Sequence, residues 1–273
     1  MSLSLSVLAS SSAANAIYVA SDTTAVLIDA GLSLRQIERR LAALGVRPAA
    51  LAGVCLSHEH TDHILGVPSL HRRHGVPVYA NAGTLEGARR VWGAFHPSSR
   101  IFETGHPFAI GDLTIEPFAV PHDAYDPVGF VISAVGARIG IATDMGMPTT
   151  LVRERLRGCH AVVIEANHDE RLLRESRRPW ALKQRILGRQ GHLSNRHAAE
   201  MLAEIAGPHL RRIVLAHVSA ECNDPVLAAD AIRERMQACG YAGVEISVAS
   251  NAAGDRWRFP SPEGGADRRA AAG

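Results

Sequence analysis

Within Ser57-His58-Glu59-His60-Thr61-Asp62-His63, three imidazoles and an aspartate carboxylate fall inside six residues. Neutral imidazole with carboxylate is the donor set for zinc, manganese or iron, so this density points to a metal site. His58 and His60, two apart, would diverge on a helix but can share one side of an extended turn. Asp62 and His63 can then face a second ion. Such a site needs further donors, and strand ends are where rigid backbone can aim them. Three positions qualify: His122 follows the strand-like Ile115–Val120, Asp144 ends the apolar run Ile139–Thr143, and His217 ends Ile213–Ala216. Any one alone would pass for a turn residue; together they complete a set.

The elements that must carry these donors follow from periodicity and punctuation. Ser2–Leu8, Ala16–Val19 and Ala25–Ile28 have strand character, separated by Ser10-Ser11-Ser12 and Ser21-Asp22 as turn chemistry. Leu34, Ile37, Leu41 and Leu44 recur at helical spacing, and Leu51–Leu56 is a short apolar run ending in the histidine cluster. That puts the cluster on a loop after a strand. Further strands are predicted at Val78–Ala80, Leu113–Pro117, Gly129–Ser133, Ile139–Thr143, Ala161–Glu165 and Ile213–Ala216. Helices are predicted at Ala82–Trp92, Thr150–Leu156, Ser194–Ile205 and Pro225–Cys239. Asp224 can cap the last of these, and Pro225 occupies its first position, where a missing donor does no harm. Strand-rich stretches interrupted by helices in both halves fit an α/β (α+β) class with helices outside a pair of sheets.

At 273 residues the chain can bury one substantial core. One catalytic domain is therefore expected over residues 1–260, with the Pro, Gly, Ala and charge of 261–273 read as a disordered tail. A net charge of +2 neither announces nor excludes a polyanionic partner. Of the 29 basic residues only Lys183 is a lysine, a bias that discounts arginine counts as a sign of phosphate binding. Asp169–Arg189 still carries seven basic against three acidic residues, with Trp180 among them. It fits a phosphate-tracking surface with a stacking aromatic and a solvated helix face about equally. Cys55, Cys159, Cys222 and Cys239 are scattered and read as reduced core residues. No apolar run approaches the roughly 20 residues of a membrane-spanning helix, and the amino end lacks the basic region of a signal peptide. The expectation is a soluble cytoplasmic protein with no membrane partner.

The donors resemble those of the metallo-β-lactamase superfamily, whose HxHxDH pattern is followed by a histidine, a bridging aspartate and a last histidine. All seven match in order. The resemblance implies an αββα sandwich, two mixed sheets flanked by helices. It implies that His58, His60 and His122 hold one metal ion, that Asp62, His63 and His217 hold another, and that Asp144 bridges both. Asp29, in Val26-Leu27-Ile28-Asp29-Ala30-Gly31, matches the superfamily's early structural aspartate and should orient the histidine loop. Aspartate rather than cysteine at the bridge argues against the drug-hydrolysing β-lactamases and fits two-metal hydrolysis of phosphodiesters.

A closer resemblance, spanning Leu3 to about Val248, is to the YycJ/WalJ group of 5′-to-3′ exodeoxyribonucleases. It rests on Val7-Leu8-Ala9-Ser10, Ser57–His63, Thr143-Asp144, Glu165-Ala166-Asn167-His168-Asp169, Pro179-Trp180, Gly191-His192-Leu193-Ser194-Asn195 and Leu215-Ala216-His217. The group's LASGSSGN opening reads Leu8-Ala9-Ser10-Ser11-Ser12-Ala13-Ala14-Asn15 here, without either glycine. Gly191-His192 ahead of a capped helix is also similar to ribonuclease Z, where an equivalent histidine serves catalysis. Only 21 residues separate His122 from Asp144, which leaves no room for a long tRNA-gripping arm. The chain is likewise too short for the inserted β-CASP domain of ribonuclease J.

These readings converge on two divalent metal ions per chain, Zn or Mn, and on a nucleic acid substrate with single-stranded DNA favoured. Asp62, His192 and Glu165 are the candidates for catalysis, Asp62 doubling as a ligand and Glu165 ending a strand where it can hold His192. Ser12, Asn15, His168, Ser194 and Asn195 are expected to meet substrate. Two other readings stand beside this one: a small-molecule phosphodiesterase or thioester hydrolase using the same metals, and a non-catalytic metal-binding regulator, which the complete donor set with His192 disfavours. The native metal, DNA against RNA, and the oligomeric state stay open at this stage.

Overall fold

The computed structural model describes residues 1–249 and 256–260. Strands β1 (Ser2–Ser11), β2 (Ala14–Ala20) and β3 (Ala25–Ile28) form an antiparallel meander, which β4 (Gly53–Cys55), β5 (Val78–Ala80) and β6 (Ser99–Ile101) extend in parallel. The pattern then repeats. Strands β7 (Phe108–Ile110), β8 (Leu113–Ala119), β9 (Val128–Ala134) and β10 (Ala137–Ala142) form a second meander, and β11 (Ala161–Glu165), β12 (Arg212–Ala216) and β13 (Glu245–Val248) extend that one in parallel. Finally β14 (Trp257–Pro260) returns to the first sheet and pairs antiparallel with β1. Short turns suffice for the meanders, whereas parallel neighbours need long crossovers, which is where the helices sit.

Helices α1 (Leu34–Ala43), α2 (Thr61–Ile64), α3 (Val67–His74) and α4 (Ala82–Trp92) belong to the first half. In the second half come α5 (Thr150–Leu156), α6 (Glu170–Glu175), α7 (Trp180–Leu187), α8 (Asn195–Ile205) and α9 (Pro225–Ala238). The core has three layers of contact. Leu3, Leu5 and Val7 of β1 meet Phe130, Ile132 and Val163 between the sheets. Ile37, Leu41, Leu70 and Leu85 seal the outer face of the first sheet, and Val152, Leu202 and Ile232 that of the second. Strand β11 explains its own sequence: Ala161 and Val163 face the opposite sheet while Val162 and Ile164 face helices, so every position is apolar up to Glu165 at its end. Each such buried side chain contributes about 1.5–3 kcal/mol of transfer free energy. The arrangement is the expected αββα sandwich of two mixed sheets.

Most predicted elements occur within two or three residues of their expected bounds, and Asp224 does cap α9, accepting from the Val226 and Leu227 amides. Two local expectations change. Strand β1 continues through Ser11, past a register shift between Val7 and Ala9, so the turn is confined to Ser12 and Ala13. No residue from Ser12 to Ala14 has positive φ, so this turn works without the absent glycines. The cluster is not all loop: Asp62 and His63 lie on the helical turn α2. The predicted tail, 261–273, lies outside the described residues. No described helix is long and apolar enough to cross a membrane.

Candidate metal centre

Every expected donor sits at one end of the sandwich, where strands of both sheets finish. Asp29 follows β3, the Ser57–His63 loop follows β4, His122 follows β8, Asp144 follows β10, Glu165 ends β11 and His217 follows β12. Asp29, Asp144 and His217 have φ of 60°, 54° and 52°, in the left-handed region. Asp and His tolerate that conformation better than most residues, yet each instance costs on the order of 1–3 kcal/mol. At each of the three the chain turns sharply as it leaves its strand.

The histidine loop is held from below by Asp29. Its Oδ1 accepts the Ser57 amide at 2.8 Å, and its Oδ2 accepts the Ser57 hydroxyl at 2.7 Å and faces His63 Nδ1 at 2.8 Å. Backbone bonds fix the same loop, with the Ala30 amide donating to the His63 carbonyl at 2.8 Å. Gly31 has a specific reason to be glycine: a Cβ there would lie 1.6 Å from the Asp62 carbonyl oxygen. The loop therefore packs directly on the Asp29–Gly31 backbone. From β2, the Asn15 amide nitrogen reaches Asp62 Oδ2 and His63 Nε2, both at 3.0 Å.

Glu165 plays the matching part in the second sheet. It is fully buried, and its Oε1 lies 2.8 Å from both His192 Nδ1 and His217 Nδ1. Its Oε2 accepts the Met145 and Leu193 amides at 3.0 and 3.1 Å. One carboxylate thus orients two imidazoles and clips together the segments after Asp144 and His192. The His217 amide donates to Ser10 Oγ at 2.7 Å, and Asn167 donates to the His217 carbonyl at 3.0 Å. His122 Nδ1 lies 3.2 Å from the Gly191 carbonyl, tying a donor to the His192 loop.

Among the described residues, donor atoms cluster within 4.8 Å of one another in four overlapping groups: His58, His60 and His122; Asp62, His63 and His217; His58, His63 and Asp144; and Asp144, Glu165, His192 and His217. The first two coincide with the two ligand sets implied by the resemblance. Asp144 belongs to groups on both sides. His58 Nε2, Asp144 Oδ2 and His217 Nε2 are buried without a hydrogen-bond partner, an arrangement proteins avoid unless the atoms serve another bond. Imidazole and carboxylate atoms so placed fit divalent metal ions.

The charges agree. Burial works against the ionised form of Asp144, but His217 and His63 outweigh it and hold the carboxyl well below the usual range. Glu165 is likewise brought down to about 2 by His192 and His217 against its burial. The close approach of the His217 and His63 imidazoles, 3.7 and 3.4 Å from its Oδ2, lowers Asp62, again against burial. In return, Asp144, Asp62 and Glu165 push His217 up to about 10 despite burial, and Asp29 and Asp144 raise His63. By contrast, burial and neighbouring imidazoles keep His58 and His122 low, in the neutral form that ligates metals. A field that draws protons onto His63 and His217 also favours a divalent cation, which would displace those protons.

The residues expected to touch substrate are placed differently from one another. Ser12 is exposed in the β1–β2 turn. Asn15 is buried and spends its amide on Asp62 and His63. Ser194 caps α8 through the His197 amide, and Asn195 exchanges amide hydrogen bonds with Asn223 at 2.8 Å in both directions. His168 is buried with neither ring nitrogen partnered, and burial lowers it to about 4. Ser10, Gly31, Ser57 and Asn167 all lie within the motifs quoted above, yet the sequence assigns them no role of their own: each supports a donor through a contact that only the fold creates.

Fold and donor set define a hydrolase of the metallo-β-lactamase type. A family model described as a β-lactamase superfamily domain matches residues 24–218. Exodeoxyribonuclease YycJ of Bacillus anthracis is 34% identical over 242 residues, 88% of this chain and 92% of that protein. Exodeoxyribonuclease WalJ of Streptococcus pneumoniae is 35% identical over 247 residues, 89% of this chain and 92% of its own length. The chain belongs to the β-lactamase superfamily and, within it, to the family of the YycJ and WalJ exodeoxyribonucleases; it is a metal-dependent hydrolase. The metallo-β-lactamase fold protein YhfI from Bacillus subtilis superimposes with a TM-score of 0.71 at 16% identity, covering 95% of this chain and 100% of that one, a likeness of fold.

Proposed function

We propose that this protein is a cytoplasmic 5′-to-3′ exodeoxyribonuclease that holds two divalent ions, Zn or Mn, and prefers single-stranded DNA. The observation that carries the two-ion reading is the set of overlapping donor groups, with Asp144 belonging to both sides. His58, His60 and His122 would hold one ion, Asp62, His63 and His217 the other, and Asp144 both. Bound there, the ions would supply Lewis-acid polarisation of a phosphodiester and an acidified water. Asp62, held more acidic than an ordinary carboxylate, serves as ligand rather than as a strong base.

His192 is the residue we assign to proton transfer. Its ring is one-fifth exposed while Glu165 and the donor imidazoles around it are buried. Burial disfavours its charged form, but Glu165 and Asp144 outweigh that and raise its pKa. A protonated imidazole at the edge of the centre can hydrogen-bond the non-bridging oxygens and protonate the leaving oxygen as charge develops there. Glu165 acts through His192 and His217 as a positioning residue. Asn15, Ser194 and Asn195 we likewise read as supports, leaving Ser12 as the exposed member of the expected substrate group.

The reading is tested by incubating metal-reconstituted protein with end-labelled linear and circular DNA, single- and double-stranded, and with RNA. Mononucleotides released from 5′ ends of linear single strands, with circles spared, are expected. Rapid cutting of circular single strands would show endonuclease action, and a preference for RNA would overturn the assignment to DNA.

A further inference from the structure

The basic stretch Asp169–Arg189 resolves, cation by cation, into partners that leave one charge free beside the centre. Arg171 and Arg174 bridge to Glu175 and Glu170 at 3.2 and 3.5 Å, and Arg178 bridges to Glu221 at 3.0 Å. Lys183 is buried and donates to the carbonyls of Arg174 and Ser176 at 2.6 and 2.7 Å. Arg185 bridges to Asp123 at 2.6 Å. Arg177 does not line the cavity described next. Among the described residues Arg189 meets only the Met147 sulfur, 3.3 Å from its Nε, and a thioether is a weak acceptor that leaves the guanidinium charge uncompensated there.

Arg189 lines a cavity of about 660 Å³ together with Pro121, Asp123, Met147, Arg185 and Gly191. Pro121 and Asp123 flank the donor His122, Met147 lies three residues past Asp144, and Gly191 precedes His192. The cavity is thus lined by chain neighbours of His122, Asp144 and His192, and its Gly191 carbonyl lies 3.2 Å from His122 Nδ1, which sets it beside the metal centre; its volume suits a small organic ligand. The Asp123 carboxylate would repel an anion, but the Arg185 bridge offsets it. What remains is an apolar wall, from Pro121 and Met147, beside one unpaired, exposed guanidinium able to grip phosphate oxygens in bidentate fashion.

We infer that this cavity is a mononucleotide subsite: it takes the nucleotide adjoining the scissile bond, its phosphate on Arg189 and its sugar and base against Pro121 and Met147. The inference rests on the proposed nuclease reading and adds the residue that seats the strand there. It makes Arg189 a determinant of substrate affinity, outside the chemical step.

Calorimetric titration of metal-loaded protein with dAMP, with deoxyadenosine as the phosphate-free control, tests it directly. Wild-type protein should bind dAMP more tightly than deoxyadenosine, and Arg189→Gln should weaken dAMP on the order of tenfold or more, as loss of a charge-assisted bond does. The same variant should raise KM for a single-stranded oligonucleotide by a similar factor with kcat kept. Its turnover of bis(p-nitrophenyl) phosphate, which has no neighbouring nucleotide, should stay within about twofold. Unchanged dAMP affinity or unchanged KM in Arg189→Gln overturns the subsite. Failure of wild-type protein to cut any DNA would strike instead at the nuclease reading, so the two failures are distinguishable.

Discussion

The two sheets deliver donors to one centre by different means. The first provides His58, His60, Asp62 and His63 from a single loop, braced by Asp29, Ser57 and the Gly31 backbone. The second provides His122, Asp144 and His217 one at a time from separate strand ends, with His192 beside them and Glu165 bracing two of the imidazoles. A loop concentrates donors cheaply but must be pinned to a rigid floor. Separate strand ends are already rigid, and need only a common clamp. Asp29 and Glu165 are thus counterparts, each a buried carboxylate at a strand end facing histidine Nδ1 atoms of its own half, Asp29 one and Glu165 two.

That comparison can be broken at its shared member first. Asp144→Ala should strip both sides at once, so metal content and turnover should fall together by more than the 10–100-fold that loss of a supporting partner costs. Loss of activity with metal retained would mean that Asp144 is not the bridge.

Next in size is His192, which lies on the second side and which we propose is not a ligand. His192→Ala should keep the fold and both ions while kcat falls on the order of 10²–10⁴-fold. Full activity would make the residue structural, and loss of an ion would make it a ligand.

The two braces differ by what they hold. Glu165→Gln should cost about 10–100-fold in metal affinity or activity, with the pH profile of kcat displaced because the His192 pKa loses its main support. Asp29→Asn should affect affinity through His63 and the Ser57 end of the histidine loop and leave that profile in place. Equal displacement in both variants would remove the distinction between the sheets.

The smallest effect is on the stability of metal-free protein. Glu165, brought down to about 2 from 4.5, contributes stability that is present above about 4.5 and lost as pH falls through about 2. His217, raised to about 10 from 6.5, contributes stability that is full below 6.5 and lost as pH rises through about 10. Their contact is therefore worth most between those limits, roughly pH 4.5 to 6.5. Denaturant unfolding across pH should show wild-type stability declining on both sides, and a flatter profile in Glu165→Gln.

The contrast between the sheets also governs what the sequence disclosed. The histidine loop announced itself because its donors are adjacent; His122, Asp144 and His217 became legible only as a set. Long strands and helices with clear periodicity were placed well. Helix α3 and the short strands β6, β7 and β13 were missed, and α6 and α7 fall in the Asp169–Arg189 stretch that fitted a solvated helix face, their charge and short length hiding any apolar period. Strand β14 pairs with β1 across the whole chain, and no local pattern signals such a partner. Asn15 looked like a substrate residue because its distance of 47 positions from Asp62 concealed their contact.

Elemental analysis of fully active protein, with metal counted per chain, tests the central claim most directly. Two transition-metal ions per chain are expected, one for each side of the centre and both lost in Asp144→Ala; a reproducible count of one at full activity would contradict the two-ion account.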